Sequence, residues 1–125
     1  YSIPECHARG FADTLKGMRK FSAAKHQEAG VVTIDLFLVT TAYQQTAFRR
    51  RVHRKLNGID GWIIAAEDLL LHKLIAGRDR DFADAADILL MNSDLDQGYL
   101  SEWSQHLGVA AQFQRARTSA QEMGL

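Results

Sequence analysis

Asp35 is the first residue in this sequence that calls for a chemical explanation, because it interrupts the apolar, β-branched segment Val31-Val-Thr-Ile-Asp-Leu-Phe-Leu-Val39. A segment of this kind predicts a strand buried on at least one face. A carboxylate there is costly unless it is paired, hydrogen-bonded or bound to a cation. Hard cations such as Mg²⁺ take carboxylate oxygens held on a rigid scaffold, so Asp35 is a candidate metal ligand. The plainer alternative is a side chain facing solvent on a one-sided sheet.

The second constellation is the run from Lys73 to Asp84, which contains Arg78, Asp79, Arg80 and Asp81. Asp81 and Asp84 are three residues apart, so on a helix they occupy neighbouring positions of one face. Lys73 shares its helix face with Ala66, Leu69, Ala76 and Gly77, which are mostly small. A long cationic side chain can run along such a face and deliver its charge to a cleft. The alternative is a charge network stitching two helices together, the ordinary role of exposed ions. Arg49, Arg50, Arg51 and Arg54 form a basic cluster near Tyr43 and Phe48, open to RNA or nucleotide phosphate or simply solvated. Trp62 and Trp103 read as packing residues rather than stacking platforms. His53 and His72 are single imidazoles with no metal-ligand spacing around them. Glu5, Cys6 and His7 are adjacent, and neighbours on a helix point apart, which argues against zinc.

These residues need elements to hold them. Pro4 suits a first helical turn, and Ala8, Phe11, Ala12 and Leu15 recur at helical spacing, predicting a helix over residues 4–16 that closes at Gly17. Residues 21–27 and 31–39 read as strands around a Glu28-Ala29-Gly30 turn, with the Asp35 strand central in its sheet. Residues 42–51 form a short helix or ordered loop. Residues 52–56 and 62–65 read as two further strands, with Asn57-Gly58 as the turn signal between them. The pattern then becomes helical: 67–76 ending at Gly77, 81–91, and a final pair over 95–107 and 109–121 split at Gly108. The fold class expected is α+β: one small mixed sheet over about residues 1–65, then a helical half over 66–125, in a single domain.

Composition sets outer limits. The chain has 125 residues, 46% hydrophobic and 24% charged, ordinary for a globular domain. Fifteen basic and fifteen acidic residues give zero net charge, so no global field draws the chain to nucleic acid or anionic membrane. No apolar run approaches the ~20 residues of a membrane span, and a single Cys fits a reducing compartment. The expected location is cytoplasmic.

The strand Thr33-Ile-Asp-Leu-Phe37 followed by Ala66-Glu-Asp-Leu-Leu-Leu-His-Lys-Leu-Ile-Ala-Gly-Arg-Asp-Arg-Asp-Phe-Ala-Asp-Ala85 resembles the nucleotidyltransferase-like family. The likeness is strongest to its minimal bacterial branch, which includes the AbiEii/AbiGii-type toxins, and it covers about residues 31–90. The resemblance implies that Asp35 is the third of three acidic residues holding divalent metal, Mg²⁺ in this reading. It implies that Lys73 contacts nucleotide phosphates, and that Arg78, Arg80, Asp81 and Asp84 line or brace the same pocket, with Asp84 counted beside Asp35 and Lys73 in the catalytic set. The family's Gly-Ser turn and the Asp-x-Asp pair that follows it are missing, since no Gly-Ser dipeptide occurs and Asp79-Arg-Asp81 and Asp94-Leu-Asp96 lie in the wrong segment. The chain begins at Tyr1 rather than Met, so the expectation is that these motifs lie upstream or on another chain, and that this chain alone does not catalyse.

Implied by the same resemblance is metal-dependent transfer of a nucleoside monophosphate from a nucleoside triphosphate to the hydroxyl of a tRNA, a protein or a small molecule, as in a toxin of a toxin–antitoxin pair. The competing readings are a degenerate binding or regulatory module of the same fold and a plain helical interaction domain. An open sheet edge and zero net charge further predict a homodimer joined through the sheet half.

Overall fold

The computed structural model describes the backbone of residues 13–15 and 18–124, with side chains over 22–124. The chain divides into two compact units, Tyr1–Gln45 and Thr46–Leu125. Both contain strands and the second is mostly helical, so the α+β class holds.

In the first unit β1 (Asp13–Leu15), β2 (Met18–Gln27) and β3 (Gly30–Leu38) form an antiparallel sheet in that order. Glu28 and Ala29 make the β2–β3 turn, and Gly30 leaves it at φ +129°, a conformation that a side chain at this position would strain. The helix expected over residues 4–16 is not what Asp13–Leu15 forms: these residues pair with β2, which satisfies their backbone groups in a ladder instead. Residues 4–12 lie outside the described part. Nor is the Asp35 strand central. Among the described residues β3 pairs with β2 alone, and all its residues but the half-buried Ile34 are exposed.

The helix α1 (Ala42–Arg50) opens with a reciprocal cap. Thr41 Oγ1 accepts from Gln44 N–H at 3.1 Å, while Gln44 Oε1 accepts from Thr40 and Thr41 N–H at 3.0 and 3.1 Å. This satisfies donors that a bare helix end leaves open.

The second unit begins with a hairpin of β4 (Val52–Leu56) and β5 (Ile59–Ile63). Asn57 at φ 51° and Gly58 at φ 80° give the two left-handed residues of a two-residue turn whose twist matches the strands. A turn that short brings Leu56 opposite Ile59, so β5 starts at Ile59 and not at the expected Trp62. The described strands therefore make two separate antiparallel sheets rather than one mixed sheet.

Four helices follow: α2 (Ala66–Ala76), α3 (Asp79–Met91), α4 (Gln97–His106) and α5 (Ala110–Met123). Gly77 at φ 68° ends α2, its N–H bonding the Lys73 carbonyl at 3.0 Å. Asp96 caps α4 by accepting from Tyr99 N–H at 2.9 Å. Leu70, Leu71, Leu74, Ala85, Ala86, Leu100, Phe113 and Ala116 are buried in this unit. The alanines at the contact faces of α3 and α5 suit close helix approach. No described helix is long and apolar enough to cross a membrane.

Candidate functional site

The α2–α3 corner gathers four of the residues singled out by the sequence. Asp81 occupies the third position of α3, where the helix N-terminus favours negative charge. It is buried, yet well supplied with donors. Arg78 N–H reaches its Oδ2 at 3.3 Å, and the Arg78 guanidinium grips both carboxylate oxygens, through Nε on Oδ2 and through the second nitrogen on Oδ1 at 3.2 Å. Lys73, in the last turn of α2, points its ammonium across the corner, 2.7 Å from Asp84 Oδ2 and 3.4 Å from Asp81 Oδ1.

Charge states follow from these contacts. Hydrogen bonding from Arg78 holds the Asp81 carboxyl below its ordinary 3.8 against the opposing effect of burial. The hydrogen bond to Asp84, with Asp81 adding to it, holds the Lys73 ammonium above its ordinary 10.5. Asp81 and Lys73 are therefore both ionised throughout the neutral range. The solvent side of the corner is open: Asp84 and Lys73 are half-buried and Arg78 is exposed, while Arg80 is exposed at the second position of α3.

Asp35 belongs to the first unit and is exposed on β3, where Oδ1 accepts from Ser22 Oγ–H at 2.7 Å, its cross-strand neighbour. The burial expected from its apolar neighbours is absent, because Leu36 and Phe37 are themselves exposed and Ile34 is only half-buried.

A second ionic network joins Arg50 of the basic cluster to residues that the sequence did not single out. Asp68, at the third position of α2, is completely buried. Its Oδ1 accepts from Tyr99 Oη–H at 2.6 Å and its Oδ2 from Arg50 Nε–H at 3.2 Å. The Arg50 guanidinium lies 3.8 Å over the centre of the Tyr99 ring and 3.3 Å from Glu67 Oε2. Glu67 Oε1 in turn accepts from Asp96 N–H at 3.0 Å, tying α2 to the start of α4. Burial, helped by the hydrogen bond to Asp68, raises the Tyr99 phenol well above its ordinary 10.0. The signal for Asp68 was present in the sequence: it shares the i, i+3, i+7 stripe with buried Leu71 and Ile75.

The histidines go separate ways. His72 Nδ1–H donates to the Asp68 carbonyl at 2.7 Å, and His53 sits edge-on to Trp62 at 5.2 Å. An open groove of about 570 Å³ between the ends of α3 and α5, lined by Leu89, Leu90, Ser93, Gln97, Arg117 and Gln121, contains none of the singled-out residues.

The described residues do not by themselves bring together a ligand set for the magnesium ion that the resemblance implies. No three His, Cys, Asp or Glu side chains among them converge, and the paired carboxylates Asp81 and Asp84 already face Lys73 and Arg78. What the corner offers is cationic donors held in place by carboxylates. No protein-family model, curated protein or solved structure matches this chain.

Proposed function

We propose that the chain is part of a nucleotidyltransferase-like protein, in which the α2–α3 corner is the phosphate-binding side of a nucleotide pocket. The observation that carries this reading is the convergence of Lys73 and Arg78 on one buried carboxylate, beside the half-buried Asp84. Transfer of a nucleoside monophosphate to an acceptor hydroxyl leaves negative charge on the departing phosphates. Fixed cations that meet that charge lower the barrier. Asp81 holds the Arg78 guanidinium in one orientation, and Lys73 exchanges Asp84 for a phosphate oxygen. Arg80, exposed on the same turn, adds positive charge at the rim. The acceptor class, whether tRNA, protein or small molecule, belongs to the part of the reading carried by resemblance, as does a toxin role.

A second reading is favoured by a specific observation: Lys73 and Arg78 are both already ion-paired. A binding or regulatory module of the same fold, without transfer chemistry, needs no more than this. Calorimetric titration with magnesium and each nucleoside triphosphate separates the readings. Micromolar binding that Lys73→Ala abolishes supports the pocket, and label transfer from an α-labelled nucleotide, measured with a protein that also carries the Gly-Ser and Asp-x-Asp motifs, distinguishes enzyme from module. No heat with any nucleotide rejects the pocket.

Self-association through the sheet half is part of the proposal, supported by exposed Val31, Val32, Leu36, Phe37 and Leu38 on β3. Sedimentation equilibrium at micromolar concentration is expected to give twice the chain mass. A monomer at all concentrations removes this element.

A further inference from the structure

We propose that one face of the β4–β5 hairpin is a docking surface for single-stranded RNA. The inference stands on the second unit alone and does not depend on the nucleotidyltransferase reading. Between residues 46 and 66 Asp60 is the only acidic residue, against Arg49, Arg50, Arg51, Arg54 and Lys55. Arg50 is turned toward Asp68 and Glu67, but Arg49, Arg54 and Lys55 are exposed and Arg51 is half-buried.

Strand alternation sorts the hairpin into two faces. His53 pairs with Trp62 and Lys55 with Asp60, so these four side chains share one face, while Val52, Arg54, Leu56, Ile59 and Ile63 share the other. Arg51 joins the first face by contact. Its guanidinium lies 3.9 Å over the Phe48 ring and 4.7 Å over the Trp62 ring, bridging the two aromatics. Trp62 nevertheless remains 61% exposed and Phe48 52% exposed. The indole is braced by a cation on one side and by His53 edge-on at 5.2 Å on another, without being covered.

A braced, exposed indole flanked by guanidinium and ammonium groups matches the chemistry of an unpaired nucleotide. The base stacks on the ring while the phosphates on either side meet Arg51 and Lys55. A duplex hides its base faces and would use the charges alone. Asp60, opposite Lys55, repels phosphate but accepts a hydrogen bond from a ribose 2′-hydroxyl, which DNA lacks. That selects RNA.

The test is fluorescence anisotropy with a labelled, unstructured 12-nucleotide RNA, the DNA of the same sequence and the RNA duplex. The full chain is expected to bind the single-stranded RNA more tightly than either. Trp62→Ala and Arg51→Ala should each weaken binding by about tenfold or more. Lys55→Ala should reduce the salt dependence by about one ion. Asp60→Ala, which removes both the acceptor and the charge, should close the gap between RNA and DNA, whereas Ile59→Ala, on the opposite face, should change nothing. Quenching of indole fluorescence in a Trp103→Phe background reports the Trp62 stack with the face intact. The proposal is overturned by no RNA binding, by an unchanged affinity in Trp62→Ala, by a duplex or DNA bound as tightly as the single-stranded RNA, or by an acidic peptide of equal charge competing as well as the RNA.

Discussion

The helical corner and the β4–β5 hairpin are both rich in charge, and they treat it in opposite ways. Around α2 and α3 the cations Arg50, Lys73 and Arg78 each grip a carboxylate, and two of those carboxylates, Asp68 and Asp81, are buried. Among the described residues no buried side-chain nitrogen or oxygen lacks a hydrogen bond. On the hairpin, Arg51 leans on aromatic rings, and Trp62 faces water. Charge closed into pairs holds elements together. Charge left on a surface beside exposed rings is available to a partner.

The comparison breaks first if the buried carboxylates prove dispensable. Asp68→Ala leaves Arg50 and the Tyr99 hydroxyl around an empty position, and removing one member of a buried ionic network costs about 3–5 kcal/mol. For a chain of this size that lowers the melting temperature by about 10 °C or more. Thermal unfolding followed by circular dichroism reads it. A shift under about 2 °C would show that Asp68 holds nothing together. Tyr99→Phe, which keeps the ring under Arg50 and loses only the hydroxyl, is expected to cost about 1–2 kcal/mol.

The next effect is a pH profile. Asp81 titrates below its ordinary 3.8 in the fold, so its contribution is present above that value and is lost as pH falls through the folded one. Tyr99 and Lys73 titrate above their ordinary 10.0 and 10.5. Their contributions are complete below those values and decline as pH rises through the folded ones. Stability should therefore be level between about pH 5 and pH 9 as far as these three groups decide it. Asp81→Asn should cost about 1–3 kcal/mol at neutral pH, and its difference from the parent should close in acid. A variant whose deficit persists unchanged at pH 2 would assign that loss to packing instead of charge.

Much of this was open to reading from the sequence, where the cause was local. Asn57-Gly58 fixes a left-handed pair, Gly77 ends a helix, and the leucines of α2 announce its buried face. The stripe rule also contained Asp68 with Leu71, whereas the side of the hairpin that Trp62 shares with His53 and Lys55 follows from the strand register, which the expected start of β5 at Trp62 missed. Apolar character alone misled twice in the same direction: it put Asp35 in a buried central strand and read Trp62 as core or edge packing, whereas both are exposed. What no local pattern carries is the choice of distant partners. Tyr99 meets Asp68 across thirty-one residues because α4 packs on α2, a consequence of the whole unit.

A smaller effect sharpens the contrast inside the corner itself. Asp84 is half-buried and pairs with Lys73 at 2.7 Å, whereas Asp81 is sealed. Asp84→Asn should change stability by no more than about 1 kcal/mol, and high salt should shrink the difference further. Equal losses for Asp84→Asn and Asp81→Asn in matched urea titrations would mean that burial does not rank these two carboxylates.

The smallest expected effect lies on the hairpin. A side chain that stays in water after folding gains little from folding, so deleting it removes little. At 61% exposure, Trp62 has far less area at stake than a buried indole. Its contact with Arg51, 4.7 Å from the ring centre, is worth well under the cost of a broken buried pair. Trp62→Ala should therefore move stability by about 0.5–1 kcal/mol, near the surface-substitution range, and the melting temperature by only a few degrees. Acrylamide should quench Trp62 more efficiently than the half-buried Trp103, measured in the two single-tryptophan variants. A loss of about 3 kcal/mol or more, with Trp62 shielded from acrylamide, would make the indole a packing residue like those between α3 and α5. The hairpin would then close its aromatic and charged groups inward as the corner does, and the difference between the two regions would be gone.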